Sequence, residues 1–275
     1  MTSFAERAER FVALHAAGCF VLPNAWDAGS ARLLAALGPV ALASTSAGAA
    51  WTFGRQDGAI TREMAVGNAA AILAETDLPV SGDLEDGYGP SPEDCALTVR
   101  AAGEAGLAGC TIEDTTGNPA APIHEFDAAL ARVQAAVAAA RGLGRPFVLT
   151  ARAENFLHGR PDLEDTIRRL TAFAEAGADC LYAPALPDMD AIRRVVQAVA
   201  PKPVNVLAGP RSGLVPLAEL AAAGVRRVSV GGALARAAYA AAQEYGKALL
   251  AGDLPRFAAI APHGAINGAM RGKAG

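Results

Sequence analysis

Three carboxylates stand within four positions of SGDLEDGYGP (81–90): Asp83, Glu85 and Asp86. A second pair, Glu113 and Asp114, ends the apolar run GCTIE (109–113), and Arg152 follows FVLTA (147–151) with Glu154 two residues on. Carboxylates gathered at one site repel each other unless a cation sits among them. A hard divalent ion is the simplest remedy. Mg²⁺ takes oxygen ligands in an octahedron and usually keeps several waters beside one or two carboxylates. Asp83, Glu85 and Glu113 supply that donor set, with Mn²⁺ as the alternative metal. Zinc suits the chain poorly, because His15, His124, His158 and His263 show no metal-ligand spacing. Asp86 reads as solvated loop charge rather than a ligand. A guanidinium at the position of Arg152 can clamp a substrate carboxylate bidentately, or pair with Glu154 or Glu113.

These residues must be carried to one place, and the hydrophobic pattern says how. Short apolar runs recur at 19–22, 40–44, 80–84, 109–113, 147–151, 180–183, 204–207 and 227–230, each followed by a turn and a longer helical pattern. SPEDCALTVRAAGEAG opens with Ser91 as N-cap and Pro92 in the first turn, and it stops at glycine, as does DLEDTIRRLTAFAEAG. Strand–helix alternation predicts a parallel sheet, and eight units in 275 residues predict an α/β fold, a single (β/α)₈ barrel over 1–275. A doubly wound sheet is the runner-up, but VLPNAWDAGSA lacks the glycine fingerprint that fold places after its first strand. The alanine-rich stretch from about 232 onward is a C-terminal helical extension, serving either the barrel's outer ring or a subunit contact.

In such a barrel the chemistry sits at the C-terminal ends of the strands. Those ends hold Asn24, Asp27, Ser44, Thr45 and Ser46 beside the acids and Arg152, with Asn205 inside the seventh strand. LAGPRSG and SVGGALA, after strands seven and eight, stand where barrels hold phosphate, although glycine is also an ordinary turn residue there.

Absences narrow the classes. The formal net charge of −4 argues against a nucleic-acid face or a polybasic membrane patch. Four scattered cysteines without a CxxC pair predict free thiols in a reducing compartment. No signal-peptide core and no long uncharged apolar run occurs, so a cytoplasmic protein without a membrane partner is expected. Lys202, Lys247 and Lys273 stand away from the strand ends, which argues against Schiff-base chemistry. No G-x-S-x-G elbow is present.

The ordered set of LPNAWDAGSARLL, the serine-rich second strand end, DLEDGYG, IED, ARAE, VNVLA and VSVGGALARAA resembles the isocitrate lyase/phosphoenolpyruvate mutase superfamily over almost the whole chain. That resemblance implies a barrel whose eighth helix is swapped between subunits, in a homodimer or homotetramer. It implies Mg²⁺ and the cleavage or formation of a C–C or P–C bond beside a 2-oxo acid or its enolate. By position, Asp83 resembles the direct metal ligand, and Glu85 and Glu113 resemble acids that hold the ion through water. Arg152 resembles the residue gripping substrate oxygens. Ser46, Ala47 and Gly48 resemble the group that meets the substrate carboxylate, with Ser44 beside them. Asp57, in FGRQDGA, resembles an acid near the reacting centre.

Three departures bear on the reaction. The loop after Glu113, TTGNPAAPIHEF, lacks the lyase branch's cysteine, and it keeps Asn118 but no lysine of the mutase branch. The serine motif reads STSAG. The expected activity is therefore a Mg²⁺-dependent lyase cleaving a C–C bond of a small 2-oxo or 2-hydroxy di- or tricarboxylate. Like the oxaloacetate-decarboxylase-like branch, it would manage without the cysteine. The alternatives are a P–C mutase or hydrolase acting on phosphonopyruvate, and a barrel that binds a 2-oxo acid without turning it over.

Overall fold

The computed structural model describes residues 2–209 and 214–271. Its strands are β1 (Phe20–Leu22), β2 (Asn24–Ala25), β3 (Leu42–Ser44), β4 (Val80–Asp83), β5 (Gly109–Glu113), β6 (Val148–Arg152), β7 (Cys180–Tyr182), β8 (Val204–Leu207) and β9 (Arg227–Ser229). All pair in parallel, in the order β1-β9-β8-β7-β6-β5-β4-β3-β2. The first two are one extended segment interrupted at Pro23. Proline has no N–H to give a ladder, but the Pro23 carbonyl still accepts from Ala43 N at 2.9 Å. Because β1 pairs with β9 and β2 with β3, the sheet returns on itself. The result is a (β/α)₈ barrel, as the alternation predicted.

The helices are α1 (Phe4–Ala16), α2 (Ala28–Ala35), α3 (Ser46–Thr52), α4 (Arg62–Ala74), α5 (Pro92–Glu104), α6 (Phe126–Arg141), α7 (Leu163–Glu175), α8 (Met189–Val199), α9 (Leu217–Ala222), α10 (Ala233–Leu250) and α11 (His263–Met270). Among the described residues no helix is long and apolar enough to cross a membrane. The capping box at Ser91 starts α5, and Gly106 and Gly177, at φ +92° and +108°, end the α5 and α7 segments in the left-handed region open to glycine. The four thiols are unpaired, and burial pushes that of Cys95 up to about 11.

Alternation along the strands sorts side chains between two cores. Outward residues such as Leu149, Leu181 and Val206 are buried under the helices. Inside, α1 closes the N-terminal end of the barrel, where Ala8 and Phe11 pack on Phe20, Leu22, Ala41 and Val148. Above that plug the interior turns polar.

α10 departs from the ring. Of its 18 residues only Ala235 is buried, and Leu249 and Leu250 are exposed. Val21, on the outer face of β1, is also exposed, where a barrel helix would normally cover it. α10 instead runs past the end of β2 with Tyr239 edge-on to Trp51 at 5.9 Å, and α11 packs on α2.

Candidate active site

β4 aims Asp83 into the barrel. Its Oδ1 accepts from Thr111 Oγ1 and Arg152 Nη1, each at 3.1 Å, and its Oδ2 accepts from Ser46 N at 3.0 Å. Its own N–H donates to Ser44 Oγ at 2.8 Å. β5 brings Glu113 alongside, since Glu113 and Arg152 are register partners on adjacent strands. Arg152 Nη1 lies 3.0 Å from Glu113 Oε2, and its Nη2 lies 2.7 Å from Glu154 Oε1. Its guanidinium also stacks over the Tyr182 ring at 4.7 Å. The cation that answers Asp83, Glu113 and Glu154 is thus Arg152 itself. The sequence offered a clamp for a substrate carboxylate and an ion pair with Glu154 or Glu113; the structure shows the ion pair, with three acids at once.

Among the described residues that leaves two acids without a cation. Glu85 has a buried Oε1 with no partner; burial, then Asp83, Asp57 and Asp86, push its carboxyl up to about 8. Asp57 reaches the mouth from the loop between α3 and α4. It accepts a long hydrogen bond from Ser46 Oγ at 3.4 Å, and burial together with Asp83 raises its carboxyl above the usual range. Burial also raises Glu113, against the pull of Arg152.

The loop that carries Glu85 is built for position. Glu85 and Tyr88 adopt φ of +48° and +57°, a conformation that costs a non-glycine residue about 1–3 kcal/mol and persists only where the surroundings enforce it. Gly87 is required here, because a Cβ would lie 2.9 Å from Cys95 Cα. The enforcing groups are arginines. Buried Arg132 donates to the carbonyls of Asp86, Gly89 and Ser91, and Arg62 donates to the Tyr88 carbonyl at 3.1 Å. Tyr88 Oη, buried and unpartnered, lines the same cavity.

All of this faces a cavity of about 840 Å³, whose wall includes Ser44, Ser46, Ala47, Asp57, Asp83, Glu85, Glu113, Arg152 and Asn205. Gly48 does not reach it. It is buried in the first turn of α3 with its N–H toward Thr45 Oγ1 at 3.5 Å. The Ser46 N–H is spent on Asp83, so Ala47 holds the remaining N–H of that predicted trio. Several strand-end residues serve the scaffold instead. Asp27 caps α2 through Ser30 N at 2.7 Å. Asn24 closes the barrel, donating to the Ser44 carbonyl and accepting from Val230 N and Gly231 N. Asp114 pairs with Arg169 at 3.0 Å beneath the site. Asp86 is not simply solvated: its Oδ1 caps Tyr88 N at 2.8 Å. Asn205 lies deeper than expected, with both ends of its amide spent on Ser229 and Arg227. Gly231 and Gly232 of SVGGALA line the cavity; Pro210 to Gly213 of LAGPRSG fall outside the described residues.

The loop after Glu113 forms a small hairpin, pinned by the Thr115–Ile123 bridge, and gives Thr115, Gly117, Asn118, Pro119 and Pro122 to the wall. Among the described residues no thiol lines the cavity. Sequence reasoning missed Tyr88, Arg132, Arg62 and Thr111. The first stood in plain view in DLEDGYG, whereas the others act through contacts with no local signature.

A family model for phosphoenolpyruvate phosphomutase matches residues 11–250. The chain belongs to the phosphoenolpyruvate phosphomutase family. Its motifs therefore do mark the isocitrate lyase/phosphoenolpyruvate mutase superfamily, a group of lyases and mutases. An uncharacterized protein of Mycobacterium tuberculosis is 35% identical over 86% of this chain and 87% of its own length. An oxaloacetate decarboxylase of Chromohalobacter salexigens is 29% identical over 82% of this chain and 77% of its own. A crystal structure from Burkholderia cenocepacia, assigned only provisionally as a lyase/mutase, superposes with TM-score 0.94 at 50% identity, covering 98% and 97% of the two chains. The strand-end acids and the barrel mouth thus belong to a family whose members are enzymes.

Proposed function

We propose that the chain is a divalent-cation-dependent lyase that cleaves a C–C bond of a small 2-oxo or 2-hydroxy di- or tricarboxylate. The acid excess at the barrel mouth carries this reading. Arg152 answers Asp83, Glu113 and Glu154, while Glu85 and Asp57 face the same cavity with no cation paired to them among the described residues. Among the described residues no three such side chains converge into a ready cage. Mg²⁺ would be held by Asp83 directly and by Glu85 and Glu113 through water, since this ion keeps much of its hydration shell. The orphaned Glu85 Oε1 fits such a role. When bound, the ion would serve as a Lewis acid toward the 2-oxo carboxylate.

The chain's own residues would do the rest. Arg152 is charged, pre-aimed and shielded, so it can meet negative charge developing on substrate oxygen without reorganising. Ser46 Oγ and the Ala47 N–H would orient the carboxylate. Asp57, with its raised carboxyl at the mouth, would take the proton of a 2-hydroxyl group as the C–C bond breaks, directly or through one water. The oxaloacetate decarboxylase relative supports a carboxylate substrate. The family model's mutase name keeps phosphonopyruvate as the competing substrate, although the loop after Glu113 supplies Asn118 and no lysine.

The exposed α10 and the uncovered Val21 support exchange of the eighth helix between copies in a homodimer or homotetramer. A Mg²⁺-dependent activity panel with oxaloacetate, isocitrate, 2-methylisocitrate, dimethylmalate and phosphonopyruvate tests the proposal. Turnover of one of the carboxylates, with none of phosphonopyruvate by phosphorus NMR, is the expected result. Turnover of phosphonopyruvate alone would sink it.

A further inference from the structure

A barrel core is normally filled by branched apolar side chains, yet the layer beneath the mouth is polar and holds a cation. Arg227 points inward from β9 and is 2% exposed. It crosses the barrel, donating from Nε to Asn205 Oδ1 at 2.8 Å and from Nη2 to Thr150 Oγ1 at 2.9 Å, and its Nη1 lies 3.3 Å from His15 Nε2. His15 Nδ1 lies 2.7 Å from the Phe11 carbonyl, so the tautomer protonated at Nδ1 leaves Nε2 to accept. Burial, followed by Arg227, drives the His15 imidazole down to about 3, so this neighbour stays neutral. Every partner of Arg227 is therefore uncharged, and among the described residues no carboxylate pairs with it. A guanidinium carries five N–H donors, and these contacts engage three.

The position of this cation is informative. Thr150 precedes Arg152 by two residues on β6, so Arg227 is held one inward-facing layer, about 7 Å of strand, below the position from which Arg152 projects. Both line one continuous cavity with Asp83, and Ser81, Thr111 and Ser229 lie on the same wall. Arg152 is ion-paired with three acids, whereas among the described residues Arg227 pairs with none. In the free protein the acids above offset its charge only from a distance.

We propose that Arg227 is an anion subsite at the floor of the cavity, receiving the distal carboxylate of a substrate whose 2-oxo or 2-hydroxy end lies at Asp83 and Arg152. This rests on the lyase reading and deepens it: the substrate is a dicarboxylate whose two acid groups span one residue layer, a four-carbon backbone rather than a monocarboxylate. Asn205 and Thr150 hold the guanidinium across the barrel, and α1 seals the floor behind it.

The test is calorimetric binding, with Mg²⁺ present, of hydroxy acids that share one head and differ in tail: lactate, tartronate, malate and 2-hydroxyglutarate. The wild-type chain should bind malate about 10- to 100-fold more tightly than lactate, the factor expected for hydrogen bonds to a charged group, with malate the optimum of the series. Arg227→Gln should remove that advantage and leave lactate within about twofold. An unchanged malate-to-lactate ratio in Arg227→Gln overturns the subsite. So does a wild-type series without a length optimum, a measurement that needs no variant to fold. Failure of all four acids to bind would overturn the lyase reading together with it, whereas binding that ignores tail length and Arg227 overturns the subsite alone.

Discussion

At the residue scale the site is an imbalance of charge that the fold enforces. One guanidinium meets three carboxylates, and two further acids are held nearby with raised pKa values. Asp83→Ala should lower turnover by about 100- to 1,000-fold, the usual loss when one preorganised electrostatic contact at a reacting centre is removed. It should also weaken Mg²⁺ binding by calorimetry. Arg152→Lys should lose a similar factor in turnover, because an ammonium cannot present the fork that reaches Asp83, Glu113 and Glu154 together. Arg132 tests positioning without touching the cavity chemistry. Arg132→Met strands the carbonyls of Asp86, Gly89 and Ser91, and unsatisfied buried acceptors cost about 1–3 kcal/mol. A lower melting temperature with weaker Mg²⁺ binding is the expected pair of readouts. Loss of stability with unchanged metal affinity would show that the left-handed turn at Glu85 does not depend on Arg132.

At the scale of elements, α1 matters most for the barrel floor. Burial, followed by Arg227, holds the His15 imidazole down to about 3 in the fold, against an ordinary value of 6.5. Its folded pKa is depressed, so the unfolded chain takes up the proton first as pH falls. The stability it permits is complete above about 6.5 and erodes between 6.5 and 3, by at most about 1.4 kcal/mol per pH unit. Thermal melts over that range should show the slope, and His15→Phe should flatten it; an identical slope in the variant would assign the titration elsewhere. Most elements were legible because their signals are local. Ser91–Pro92 starts α5 and Gly106 ends its segment as the sequence indicated, and each predicted strand overlaps an observed one. The break at Pro23 was not read, although a proline cannot donate to a central ladder. Asp27 and Asp114 stood among the strand-end acids without an assigned role, because a carboxylate at a strand end looks the same in sequence whether it faces the cavity or serves the scaffold. Only the third dimension separates Asp83 Oδ1, which meets Arg152, from Asp27 Oδ1, which caps Ser30 N.

At the scale of the molecule, the most exposed long helix starts beside the barrel mouth. α10 leaves its own barrel at Gly232, whose neighbours are Trp51 and Ala47 beside the mouth. A helix of 18 residues with one buried side chain gains little from its own chain, since tertiary packing supplies most helical stability. Light scattering should therefore give the mass of a dimer or a larger even assembly, and Leu249→Asp together with Leu250→Asp should shift it toward monomer; a monomeric wild-type chain would contradict helix exchange. The superfamily could be read from ordered motifs spanning the chain, but the charge balance around Arg152 could not, because it depends on which of five acids point inward. The central claim is that Asp83 anchors a cation for C–C cleavage. The measurement that tests it most directly is Mg²⁺-dependent release of 2-oxo acid product from the carboxylate panel, run on wild type and Asp83→Ala. Product that requires Mg²⁺ and disappears in Asp83→Ala is predicted, and full activity with undiminished metal affinity in that variant would contradict the account.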